Sequence, residues 1–294
     1  MPYQKTPSYL MTYEHDANQS NLRKSGTVVK TKKEPISLDD RIRDEKEAYN
    51  RGLDRKKYNA AFGHAQSGYH LKRRNEIYAK VLQRGKNGKV LELGSTSWKK
   101  FVDLDESAPA ELTCINISEE ALNVGIKSAR YRKTHKKTKH EFKVMDAHKL
   151  EFPDDTFDVV FGREILHHLD YEVSAKEMAR VLKKGGQIVF LEPLGRNPIG
   201  KFVRWRTPDK RTAFEKPVDK EEIEILEKYF DLDLTYQQLF TVPVGALSKL
   251  IFKSSENFLM KATHNLDLII EKATKKTNFG LWYRQVIIVG TVKK

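Results

Sequence analysis

Five short apolar runs constrain this chain more than any other feature. Residues 89–94 read KVLELG, a run stopped by glycine, and four similar runs follow at 112–117, 142–145, 157–161 and 187–191. Runs this short, apolar at nearly every position, suit strands buried on both faces of a parallel sheet; a strand with one wet face would alternate instead. Helix-like segments separate them. Ser118 stands where it can cap one, with Glu119 and Glu120 in its positive first turn. Another spans about 171–182 and runs into Lys183-Lys184-Gly185-Gly186, which reads as a basic last turn and a glycine stop. Strands alternating with helices predict a doubly wound α/β sheet. Two further strands are expected at 233–240 and 285–292. Between them, 244–273 carries apolar residues at helical spacing.

The flanks organise the rest. Residues 1–45 are polar and of mixed charge, and are expected to be a flexible arm. A helical cap is expected over 46–88, with Tyr69, Leu71, Ile77, Val81 and Leu82 on its apolar side. The core then runs over 89–294, with a connector at 194–230 and a helical insertion at 244–280. Of the 294 residues, 39% are hydrophobic, enough to bury a core. The single Cys114 excludes an internal disulfide and a cysteine-cluster zinc site. The histidines show no metal-binding spacing, so no metal is expected. No run is long and apolar enough to span a bilayer and no apolar leader precedes the core, so the expectation is a cytoplasmic protein.

In an open α/β sheet, ligands bind beyond the carboxyl ends of the strands, where strand order reverses. The first run ends in Glu92-Leu93-Gly94-Ser95, where Gly94 lets the turn pass close to a ligand. The second ends at Asn116, a little over twenty residues on, where nucleoside-binding folds place a polar group for ribose hydroxyls. The third ends at Asp146-Ala147 and the fourth at Arg163-Glu164, followed by His167-His168.

Taken together, these pieces resemble the class I S-adenosylmethionine-dependent methyltransferases of the methyltransferase-11 type. The resemblance runs from about 90 to 193. It includes LELG at 91–94, Ile115-Asn116-Ile117-Ser118-Glu119-Glu120, Phe152-Pro153-Asp154-Asp155-Thr156-Phe157-Asp158 and Ala179-Arg180-Val181-Leu182-Lys183-Lys184-Gly185-Gly186. It implies a Rossmann-like, mostly parallel seven-stranded sheet with an antiparallel last strand, and S-adenosylmethionine as cofactor. At matching positions it implies that Glu92 and Gly94 border the methionine part, Asn116 the ribose, and Asp146 with Ala147 the adenine. Ser95 and Ile117 belong to the same cofactor set, and Arg163 would lie beside the sulfonium. The turn after Gly94 has fewer glycines than the family pattern, and Asn116 replaces the usual ribose acid.

Methyl transfer asks mainly for positioning, a dry pocket and a base where the acceptor must lose a proton. His167, His168 and Glu192 are the candidate bases; each also has a plain structural reading, as a helix start or a supporting ion pair. Arg204, Trp205 and Arg206, with Tyr69, are candidate substrate contacts, or else parts of a packed connector. The acceptor expected is a small molecule, most readily an oxygen of a sugar or natural product. The 54 Lys and Arg against 40 Asp and Glu give a net charge of +14. Much of the excess lies at 127–143, which reads more readily as a solvated helix face than as a nucleic-acid patch. An RNA- or protein-directed enzyme is the second reading, and a non-catalytic binding protein the third. The helical insertion is expected to cap the core, with a lid or a peripheral membrane contact through Lys249, Lys253 and Lys261 as alternatives. Nothing in the sequence bears on the oligomeric state.

Overall fold

The computed structural model describes residues 37–51, 68–95, 109–126, 138–206, 212, 215–254, 256–275 and 277–294. The part of the expected arm before Ser37, most of the basic run and the turn after Ser95 lie outside these. Seven strands form one sheet: β1 (Lys89–Leu93), β2 (Glu111–Asn116), β3 (Lys139–Val144), β4 (Phe157–Arg163), β5 (Leu182–Pro193), β6 (Phe230–Gln237) and β7 (Gln285–Val292). Their spatial order is β3-β2-β1-β4-β5-β7-β6. The first five pair in parallel; β7 runs antiparallel to both β5 and β6. This is the Rossmann-like sheet that the alternation predicts.

The runs are mostly apolar because β1, β2, β4, β5 and β7 each feed two cores. Leu91 and Leu93, Val160, Ile188 and Phe190, and Val286 and Ile288 enter one cluster. Their neighbours Val90, Val159 and Phe161, Val189 and Leu191, and Ile287 enter a second. Alternate side chains point to opposite faces, so helices on both sides leave few positions for a polar residue. The first face is covered by α4 (Tyr171–Val181) and α6 (Lys220–Tyr229), through Ala175, Met178, Ile223 and Leu226. The second is covered by α2 (Gly68–Leu82), through Val81 and Leu82. Phe190 is fully buried, and its truncation to alanine removes about 3–5 kcal/mol.

Several boundaries differ from expectation for local reasons. Helix α1 (Leu38–Arg51) occupies the end of the expected arm. Ser37 starts it: its Oγ accepts the Asp40 N–H at 3.1 Å and donates to the Asp40 carboxylate at 2.8 Å. Lys183-Lys184-Gly185-Gly186 is not a last helical turn but the start of β5, with Gly185 at φ +74° beside an irregularity in the β4–β5 pairing. A bulge glycine and a helix-stop glycine are identical in sequence. β6 begins three residues earlier than expected, and Gln238, at φ +68°, follows its end. The connector folds as α5 (Pro198–Arg206) and α6, and the helical insertion as α7 (Thr241–Phe252) and α8 (Phe258–Thr274). The remaining helix, α3 (Glu119–Ile126), follows β2. Among the described residues, no helix is long and apolar enough to cross a membrane.

Candidate active site

Strand order reverses between β1 and β4, and a cavity opens at their carboxyl ends, with about 880 Å³ of space that includes its open mouth. Of the eight residues in the cofactor set, seven line it: Glu92, Gly94, Asn116, Ile117, Asp146, Ala147 and Arg163. Ser95 does not. It is fully buried, and its backbone N–H donates to the Ile115 carbonyl at 3.0 Å.

Each wall has a local cause. Gly94 turns at φ +68°, and a Cβ there would stand 2.8 Å from Cδ1 of Ile165. Only glycine takes that turn without strain while letting Ile165 close the wall. Asn116 spends much of its amide on the chain itself. Its Nδ2 donates to the Ser95 carbonyl at 3.0 Å and its Oδ1 accepts the Ser118 N–H at 2.9 Å. Asparagine therefore ties the two turns together, with one N–H left for a ligand. Asp146 Oδ1 accepts the backbone N–H of His148 at 3.0 Å and its ring Nδ1 at 2.7 Å. The other His148 nitrogen accepts the Asp170 N–H at 2.8 Å, which makes His148 a neutral Nδ1–H tautomer. Burial pushes the Asp146 carboxyl up, but the two His148 bonds outweigh it and hold it below its ordinary value.

Arg163 ends β4 with its Nε buried and without a hydrogen-bond partner. A buried guanidinium donor left open on a cavity wall is costly unless a ligand fills it. The lining carboxylates are Glu45, Glu92, Asp146 and Glu164, against the guanidiniums Arg41 and Arg163. In a chain of net charge +14, the charged groups that line this cavity are thus mainly acids.

The three candidate bases separate. His167 and Glu192 do not line the cavity. Glu192 is wholly buried; Oε1 accepts the N–H groups of Ile165 at 3.0 Å and Leu166 at 2.9 Å, and Oε2 meets His167 Nδ1 at 2.6 Å. Burial lowers the His167 pKa, but the Glu192 contact, aided by Glu215 and Glu164, wins and raises it above its ordinary value. Glu192 is therefore a post that holds the segment after β4. His168 does line the cavity. Its Nδ1 lies 3.1 Å from Glu45 and its Nε2 lies 3.2 Å from the Tyr49 hydroxyl.

Glu45 and Tyr49, with Arg41 and Ile42, come from α1 and line the cavity from one helix face. Arg41 fastens that helix by donating to the carbonyls of His168 at 3.2 Å and Leu169 at 2.7 Å. Thr212 donates to Glu45 from the connector. Sequence reasoning missed this wall. Its signal was present in Ser37-x-x-Asp40, a capping signature ahead of Ile42, Glu45 and Tyr49 at helical spacing.

The expected substrate contacts stand elsewhere. Arg204 donates to the carbonyls of Leu194 and Gly195, and Trp205 is 71% exposed beside an exposed Arg206. Tyr69 stacks on His264 at 5.7 Å. None of the four lines the cavity. Cys114 is buried in β2 and its thiol pKa is pushed up by burial, so it is no nucleophile. Among the described residues, His167, His168 and Glu215 form one group whose ligand atoms lie within 4.8 Å of one another. Both ring nitrogens of His168 and Nδ1 of His167 are already engaged by Glu45, Tyr49 and Glu192.

Residues 91–190 match the methyltransferase domain family. A demethylmenaquinone methyltransferase of Staphylococcus haemolyticus is 38% identical over 104 residues, 34% of this chain and 40% of that protein. The chain spans about half or less of the curated relatives it matches. Among solved structures, phosphoethanolamine N-methyltransferase 2 of Haemonchus contortus aligns over 88% of this chain and 60% of its own, with a TM-score of 0.53 and 18% identity. The N-methyltransferase NodS of Bradyrhizobium japonicum aligns over 83% and 98%, with a TM-score of 0.50 and 14% identity. These two show the shared fold. Residues 91–190, about a third of the chain, are thus similar to a methyltransferase domain.

Proposed function

We propose that the chain transfers the methyl group of S-adenosylmethionine to a small-molecule acceptor held beneath α1. The observation that carries this reading is the open, buried Nε of Arg163 on an otherwise acid-rich cavity wall at the switch point. Such a wall matches a ligand bearing one carboxylate and two cationic centres, an ammonium and a sulfonium. Arg163 then takes the carboxylate, because a guanidinium beside a sulfonium would repel it. Glu92 and Glu164 face the cationic centres, and the Oδ2 of Asp146 accepts from the exocyclic amine of adenine. Bound there, the cofactor supplies an already activated methyl group.

The chain's own residues supply orientation, dryness and a proton path. Helix α1 roofs the cavity and excludes water. With Glu45 beside Nδ1, His168 keeps Nε2 toward the Tyr49 hydroxyl. An acceptor hydroxyl that bonds to Tyr49 can pass its proton through Tyr49 to His168, and Glu45 stabilises the imidazolium formed. An oxygen acceptor fits this relay. The relatives named for demethylmenaquinone support a small-molecule acceptor in general. The lining carboxylates disfavour a phosphate-rich acceptor, which weighs against an RNA-directed enzyme.

Calorimetric titration with S-adenosylhomocysteine tests the cofactor half. Arg163→Gln should weaken binding by about ten- to a hundredfold, the loss of one charge-assisted bond. No binding by the wild type, or unchanged affinity in the variant, refutes it. His168→Asn should leave that affinity unchanged and lower kcat by about 10²–10⁴; full turnover would remove His168 from the proton path.

A further inference from the structure

Helices α7 and α8 are built inside out. The residues they bury are largely polar: Thr241 and Ser248 on α7, and Thr263, His264, Asp267 and Glu271 on α8, beside Val242, Gly245 and Met260. Their solvent side carries Leu247, Leu250, Ile251 and Phe252, then Phe258, Leu266 and Ile269. Leu250 is 80% exposed, Phe258 73% and Ile269 66%. At the turn between the helices Phe252 packs edge-on to Phe258, with ring centroids 5.6 Å apart.

The inward polar face explains why the pair cannot turn over. Asp267 accepts the N–H groups of Leu239 and Phe240, each at 3.0 Å, at the start of α7. Glu271 accepts the Tyr236 N–H at 2.8 Å and pairs with Arg73 of α2 at 2.7 Å. Tyr283 donates to the Asp267 carbonyl at 2.7 Å. Rolling either helix to bury its leucines would strand these groups without partners. The apolar face is displayed by construction.

Charge indicates what covers it. Lys249, Lys261 and Lys272 on the same two helices, and Lys253 just past the end of α7, are exposed. Among their described residues and the turn between them, the exposed acid is Glu256, whose carboxylate lies against Gly68. The cations are all lysine; residues 241–275 contain no arginine. Protein interfaces favour arginine and deplete lysine, whereas helices lying in a headgroup layer combine large apolar residues such as leucine and phenylalanine with lysine or arginine. We propose that the outer face of α7 and α8 docks on an anionic lipid bilayer, with Leu250, Ile251, Phe258 and Ile269 among the acyl chains and the lysines at the phosphates. This does not rest on the methyl-transfer reading.

The test is co-sedimentation of the full chain with two vesicle preparations, phosphatidylcholine alone and phosphatidylcholine with about a third phosphatidylglycerol. Binding is expected only to the anionic vesicles, and should weaken at high salt. Leu250→Asp with Ile269→Asp should weaken it at least about tenfold. Lys249→Glu, Lys253→Glu and Lys261→Glu together should weaken it on the order of a hundredfold, at about fivefold per lysine. Because these side chains face solvent, the melting temperature and S-adenosylhomocysteine affinity of every variant should match the wild type. No binding to anionic vesicles, equal binding to both preparations, or binding unchanged in either variant overturns the proposal. So does light scattering that shows a dimer split by the Asp variant while no vesicle is bound, which would assign the face to a second copy.

Discussion

Replacing Glu192 separates a buried post from a catalytic base. The carboxylate is fully buried and takes three donors, two backbone N–H groups and His167 Nδ1. Glu192→Gln can keep a carbonyl oxygen for Ile165 and Leu166, but it loses the charge-assisted bond to His167, at a cost of about 1.5–3 kcal/mol. Glu192→Ala leaves all three donors buried and unpaired, at a cost of about 3–5 kcal/mol. Urea unfolding of the full chain at about pH 6 and pH 8.5 measures both. The pH adds an independent sign. His167 has its folded pKa raised above 6.5, so its contribution is complete below about 6.5 and is lost as pH rises through the folded value. The wild type should weaken on the alkaline side, by at most about 1.4 kcal/mol per pH unit across that window. In Glu192→Gln burial acts with less opposition, and the alkaline loss should shrink or reverse. A Gln variant within about 0.5 kcal/mol of wild type that keeps the same alkaline loss refutes the assignment.

Other perturbations probe the walls around that post. Gly94→Ala forces a left-handed backbone on alanine and pushes its Cβ into Ile165; thermal unfolding should show a loss of about 1–2 kcal/mol or more, and calorimetry a weaker S-adenosylhomocysteine site. Asp146→Asn removes the charge that holds the His148 ring, and cofactor affinity should fall about tenfold. Because the Asp146 pKa is depressed below 3.8, the stability it adds is present above that value and fades as pH falls. The gap between wild type and variant should therefore close in acid titration below about pH 4. Gly280→Ala would place a Cβ 2.3 Å from the ring of Tyr236, and should destabilise the β6 edge by about 1–3 kcal/mol, read by urea unfolding.

The sequence carried the sheet and one wall of the cavity because both are written locally. Each strand of the central sheet is a short apolar run, and the polar residue ending it sits at the switch point wherever such strands pair in parallel. Glu92, Asn116, Asp146 and Arg163 therefore reach one cavity from four separate segments. Tertiary structure alone decided what depends on distant partners. It withdrew Glu192 and His167 from the cavity, because a carboxylate ringed by three donors is a support, and nothing near Glu192 in sequence announces those donors. It brought Glu45, from the end of the expected arm, and Tyr49, from the start of the expected helical cap, to His168 across more than a hundred residues. It also left Trp205 in solvent and turned the leucines of α7 and α8 outward. Periodicity reports that a helix has two unlike faces; which face meets the core is fixed by the donors and acceptors waiting there.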